Sequence, residues 1–82
     1  MIAFSVLQRK ILKFFLEHSH VVETAKGIAT WLIEDEAAVE QDLKQLAEQK
    51  WLLTHTSEIL TGYTLVQDAG RLDKMRRMLE SA

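Results

Sequence analysis

A chain of 82 residues with a formal net charge of −2 has room for one hydrophobic core and little more. The absence of cysteine excludes disulfide staples, thiolate zinc sites and cysteine nucleophiles, and fits a reducing, cytoplasmic setting. Three glycines and no proline leave little material for linkers, no apolar run approaches the ~20 residues that span a bilayer, and Met1 to Phe4 lacks the basic-then-apolar pattern of a secretory leader.

The first helix is expected over 5–18. Ser5-Val6-Leu7-Gln8 reads as a capping box, and Leu7, Ile11, Phe14 and Phe15 recur at helical spacing. A second helix over 24–32 starts from Thr24, a good N-cap. Its inward stripe is Ala25, Ile28, Ala29 and Leu32, and the small Gly27 and Ala29 allow a close helix crossing. After a break at Ile33-Glu34, Asp35 caps a third helix over 35–49, lined inside by Val39, Leu43 and Leu46.

The period then changes. Trp51 to Thr56 and Gly62 to Val66 are rich in β-branched and aromatic residues and are joined by Ser57 to Thr61, which reads as a β-hairpin within 51–66. Asp68 caps a last helix over 68–81, apolar along Leu72, Met75, Met78 and Leu79 and basic on its other side. Three helices, a hairpin and a fourth helix define one mainly α, α+β domain over 1–82. The packing that suits this order is a winged helix-turn-helix.

Ile28-Ala29, Leu32, Val39, Leu43, Leu46 and Leu52 fall without a gap on the apolar pattern of winged-helix repressors. Gly62-Tyr63-Thr64-Leu65 resembles the second wing strand of the MarR-like and ArsR-like families, and Gly70-Arg71 the start of the helix that follows it. The resemblance covers roughly residues 5 to 80 at the level of fold. It implies a small transcriptional regulator that places its third helix in the major groove of duplex DNA and dimerises through its first and last helices.

Three positions depart from that pattern. Lys50 stands where a glycine usually ends the third helix. Glu34 stands in the turn where an apolar residue is usual. The outer positions of the third helix are Glu36, Ala37, Glu40, Gln41 and Lys44, of which only Lys44 is cationic. Gln41 has the chemistry to read an adenine edge, whereas Glu36 and Glu40 would face phosphates. From Thr54 to Val66 the hairpin has no Lys or Arg.

Two functions therefore stand side by side. One is specific DNA binding through the third helix. The other is docking of a basic protein partner on the acidic helix, with Ile59 and Leu60 as an apolar handle at the wing tip. In either case Leu72, Met75 and Leu79, beside the Val6, Leu12 and Leu16 side of the first helix, are the candidate homodimer face.

No catalytic residues and no cofactor are expected. The chain has no Gly-rich phosphate loop and no Ser-centred elbow. His18, His20 and His55 are read as structural or solvated, because two histidines two apart do not share a helix face.

Overall fold

The structure is a computed structural model and describes residues 4–80. Residues 1–3, and the end of the last helix expected at residue 81, lie outside the described residues. In chain order the elements are α1 (Val6–Glu17), β1 (Glu23–Thr24), α2 (Ala25–Leu32), α3 (Glu36–Glu48), β2 (Leu52–Thr56), β3 (Thr61–Leu65) and α4 (Ala69–Glu80).

Local chemistry starts each helix. The Ser5 amide donates to Gln8 Oε1 (3.0 Å) and the Gln8 amide to Ser5 Oγ (3.1 Å), closing the capping box of α1. Thr24 Oγ1 accepts from the Gly27 amide (3.1 Å) at α2. Asp35 Oδ2 accepts from the Ala38 amide (3.0 Å) at α3. Asp68 Oδ1 accepts from the Gly70 amide (3.2 Å) at α4.

The two helix ends that frame the helix-turn-helix are built alike. Ile33 (φ 55°) and Lys50 (φ 68°) take the left-handed conformation that normally favours glycine. At the end of α3, Lys50 N–H donates to Ala47 O and Trp51 N–H to Leu46 O, both at 3.0 Å. That is a Schellman motif completed without glycine. At the end of α2 the Glu34 amide reaches back to Ala29 O (3.0 Å) in the same way. Lys50 therefore keeps the usual cap and bears its conformational cost. Glu34 turns outward from its turn to an ion pair with Lys10 (2.7 Å).

The sheet is antiparallel in the order β1-β3-β2. The two-residue strand β1 is absent from the sequence reading, for a physical reason. Thr24 is both its last residue and the N-cap of α2, and both roles use the same extended backbone (φ −86°, ψ 164°). Pairing of Glu23 with Tyr63 and Thr24 with Gly62 joins the start of α2 to the wing. A Cβ on Gly62 would come within 2.6 Å of Val22 Cγ1, so this glycine permits the close approach of β1. Gly27, expected to allow a helix crossing, instead makes room for the Glu23 carboxylate over the first turn of α2.

Ile11, Leu12 and Phe15 from α1, Ile28 from α2, Val39, Leu43 and Leu46 from α3, and Leu52 and Leu65 from the sheet are essentially fully buried. Met75 and Leu79 of α4 belong to the same cluster, at 0% and 7% exposure, with Leu72 packed against it. Two of the three residues expected on a dimer face, Met75 and Leu79, thus contribute to the chain's own core, and Leu72 is half-buried beside them. Arg9 of α1 ties down the end of α4 by donating to the Leu79 carbonyl.

Candidate nucleic-acid interface

Burial of Val39, Leu43 and Leu46 fixes the rotation of α3 about its axis. Glu36, Ala37, Glu40, Gln41 and Lys44 then share its exposed side, as the spacing predicts. The face is acidic. Lys44, its one cation, lies 3.8 Å from Glu40 Oε1, so part of its charge is spent within the face. Among the described residues the Gln41 side chain has no hydrogen-bond partner and is available to a ligand.

The face continues onto the sheet. Tyr63 in β3 is only 3% exposed, and burial raises its phenol above the ordinary range, with the Glu40 carboxylate pushing the same way. The packing of α3 on the wing is against β2. On its inner edge α3 is anchored to the start of α1, where Gln8 Nε2 donates to Gln45 Oε1 (3.0 Å). Beside it, burial raises the Asp42 carboxyl, against a weaker opposing hydrogen bond from Gln8.

The wing tip is ordered by one side chain. Ser57 Oγ accepts from the Leu60 amide (3.1 Å), and the Ser57 amide donates to Leu60 O (2.8 Å). Ile59 and Leu60 stand in solvent at 89% and 59% exposure, so the turn presents both rather than folding them inward.

Several cations are occupied within the fold. Arg71 donates from Nε to Lys50 O (3.0 Å) and from Nη2 to Gln49 O (2.6 Å), with its guanidinium 4.4 Å above the Trp51 ring. It caps the carbonyl end of α3, where positive charge is favoured. Arg9 does the same for α4, and Arg77 pairs with Asp73. Lys13, Lys26, Lys74 and Arg76 have no ion-pair partner among the described residues.

One cluster escaped the sequence reading. Trp31, 64% exposed, lies 5.9 Å from Phe14 and 6.0 Å from His18, ring centre to ring centre. The signal was present, since Trp31 and Ile33 fall off the inward stripe of α2. Among the described residues no three His, Cys, Asp or Glu side chains converge to hold a metal ion, and no helix is long and apolar enough to cross a membrane.

No protein-family model and no curated protein sequence matches the chain. Solved structures do. A variant of ZitR from Lactococcus lactis superposes with a TM-score of 0.73 at 24% identity, over 98% of this chain and 55% of that one. ZitR itself, a zinc-responsive MarR family member, gives 0.68 at 24% identity over 98% of this chain and 56% of its own. A ZitR variant in complex with DNA gives 0.70 at 24% identity, over 99% and 56%. The fold is a MarR-like winged helix. The chain spans little more than half the length of these ZitR structures, and its mixed architecture of four helices and a three-stranded antiparallel sheet follows theirs across nearly all its own length.

Proposed function

We propose that the chain is the winged-helix module of a DNA-binding transcriptional regulator, with α3 entering the major groove, Gln41 contacting a base edge and the wing lying beside the backbone. The observation that carries this reading is the unobstructed outer face of α3. It is held rigidly by three buried residues on one side and flanked by an ordered wing, in a fold of which a ZitR variant has been solved with DNA. The reading implies no catalytic chemistry and no cofactor.

A second reading rests on its own observation, the sign of the charges. With Glu36 and Glu40 on the face, Lys44 partly paired and no Lys or Arg in the wing from Thr54 to Val66, the same surface suits a basic protein segment, with Ile59 and Leu60 as its apolar contact.

Glu36→Gln with Glu40→Gln separates the two. On duplex DNA the double variant should bind more tightly, because two charges facing phosphates are gone. Gln41→Ala should lose sequence preference by ~1–3 kcal/mol, the worth of a bidentate base contact. If the same Glu changes leave DNA retention untouched and slow association with a basic polypeptide such as polylysine, the protein-docking reading replaces the first.

A further inference from the structure

Strand β2 is an edge of the sheet, since the order β1-β3-β2 gives it a neighbour on one side alone. Two bonds fix which of its backbone groups that neighbour uses. Val66 N–H donates to Trp51 O (3.3 Å) at one end of the hairpin, and Ser57 N–H to Leu60 O (2.8 Å) at the other. Between them five consecutive residues pair in register, from Leu52 with Leu65 to Thr56 with Thr61. Bonded and non-bonded pairs alternate along an antiparallel ladder. Leu53 and His55 therefore turn their amides and carbonyls toward β3, and Thr54 and Thr56 turn theirs outward. Leu53, Thr54, His55 and Thr56 are all exposed, and among the described residues nothing hydrogen-bonds to the outward groups.

Natural sheet edges are blunted by charged side chains, proline, a bulge or a covering element. The segment Leu52-Leu53-Thr54-His55-Thr56 holds no proline and no Lys, Arg, Asp or Glu, and its register runs without a bulge. Such a row of free donors and acceptors fits another extended backbone. The side chains around it set the chemistry of that backbone. Thr54 shares the face of the buried Leu52, on which α3 packs, and lies opposite Tyr63, whose phenol feels the Glu40 carboxylate. Between Leu52 and Val66 the only Asp, Glu, Lys or Arg is Glu58. On the other face Leu53 is 46% exposed. A strand that alternates basic and apolar residues meets both faces, basic toward α3 and apolar beside Leu53. A second copy of β2 meets them badly, because a two-fold pairing sets both acidic α3 faces on one side of the joined sheet.

We propose that β2 takes up an extended segment of a partner protein, alternating basic and apolar residues, as a further antiparallel strand held by the outward amides and carbonyls of Thr54 and Thr56. The inference does not depend on what enters at α3, since the backbone of β2 carries it.

A blocked heptapeptide of alternating lysine and valine is the probe, titrated into the isotope-labelled chain and followed by amide hydrogen exchange in NMR. The Thr54 and Thr56 amides should exchange freely in the chain alone and become protected with peptide, while those of Leu53 and His55 are protected throughout. Directly opposed residues share a face, so the lysine amides of an antiparallel peptide point at β2. N-methylation of the lysines should abolish binding, and N-methylation of the valines should leave it. Glutamate in place of lysine should weaken it. Thr54→Pro removes an outward N–H without touching a bond to β3, a place where an edge strand tolerates proline. It should weaken peptide binding by about tenfold or more, with the fold intact by circular dichroism. Absence of protection at Thr54 and Thr56 at millimolar peptide overturns the proposal. So does binding that ignores the N-methylation pattern or follows the opposite one, which would make the attraction one of side chains alone or of another register. Self-association of the chain that Thr54→Pro removes, without peptide binding, would give the edge to a second copy instead.

Discussion

Lys50 shows how one residue keeps a motif while losing its usual amino acid. The sequence marked the position as a departure, and the structure retains the Schellman bonds and places a lysine at φ 68°. A non-glycine residue there costs on the order of 1–2 kcal/mol, offset in part by the smaller entropy that lysine loses on folding. Lys50→Gly should therefore raise the urea midpoint by up to about 1 kcal/mol in stability, with the slope m unchanged. A lower midpoint would mean that the Lys50 side chain contributes something the cap geometry does not show.

Asp42 makes a second test at this scale. Burial raises its carboxyl above the ordinary 3.8, against the opposing Gln8 hydrogen bond. A raised folded value means that the folded state holds the proton more tightly than the unfolded one. The contribution of Asp42 is therefore fully present below the unfolded value and is lost as pH rises through the folded value. Asp42→Asn should be more stable than wild type at neutral pH, and the gap should narrow as the pH falls toward the ordinary carboxylate range. Urea midpoints across an acid series measure it, and a gap that widens on acidification sinks the assignment.

At the scale of elements, the helix starts were legible because each rests on a short-range bond between residues two or three apart: Ser5 to Gln8, Thr24 to Gly27, Asp35 to Ala38, Asp68 to Gly70. What an apolar stripe covers is not a short-range property. Leu72, Met75 and Leu79 have the same spacing whether they meet another chain or α1 of their own, and only the return of α4 decides. Strand β1 was hidden for a related reason, since two residues give no alternation to read and its partner is some forty positions away in sequence. The burial of Met75 and Leu79 sets what charges at those positions do. Met75→Lys with Leu79→Lys would produce a monomer if these residues faced a partner. Because they fill the core, the pair should instead unfold the chain, as unpaired charges in an apolar interior do. Leu43→Ala, at 0% exposure on α3, should cost ~2–5 kcal/mol. Circular dichroism melts distinguish these outcomes, and a folded, fully helical double-lysine variant would show that α4 does not pack as described.

At the scale of the whole molecule, the residues of the α3 face were legible because three buried positions on a helix fix the others. The ligand of that face was not, because fold and charge point in different directions. The salt dependence of DNA binding tests them together. The slope of log K against log salt counts neutralised phosphates at about 0.9 each on duplex DNA. Along α3 and the wing the exposed cations are Lys44, itself near Glu40, and Lys50 at the cap between them, while Arg9 and Arg71 are held by helix carbonyls. A monomer that binds through α3 must therefore show a shallow slope, about −1 to −2, with its affinity drawn from backbone amides and base contacts such as that of Gln41. Lys44→Ala should reduce the slope by roughly 0.9. The unpaired Lys74 and Arg76 lie on α4, so Lys74→Ala with Arg76→Ala should leave specific binding unchanged and remove only sequence-blind retention at low salt. If the slope is steep and collapses in that α4 variant, DNA meets the basic helix and not the winged helix-turn-helix face. The acidic surface of α3 would then be free for a protein partner.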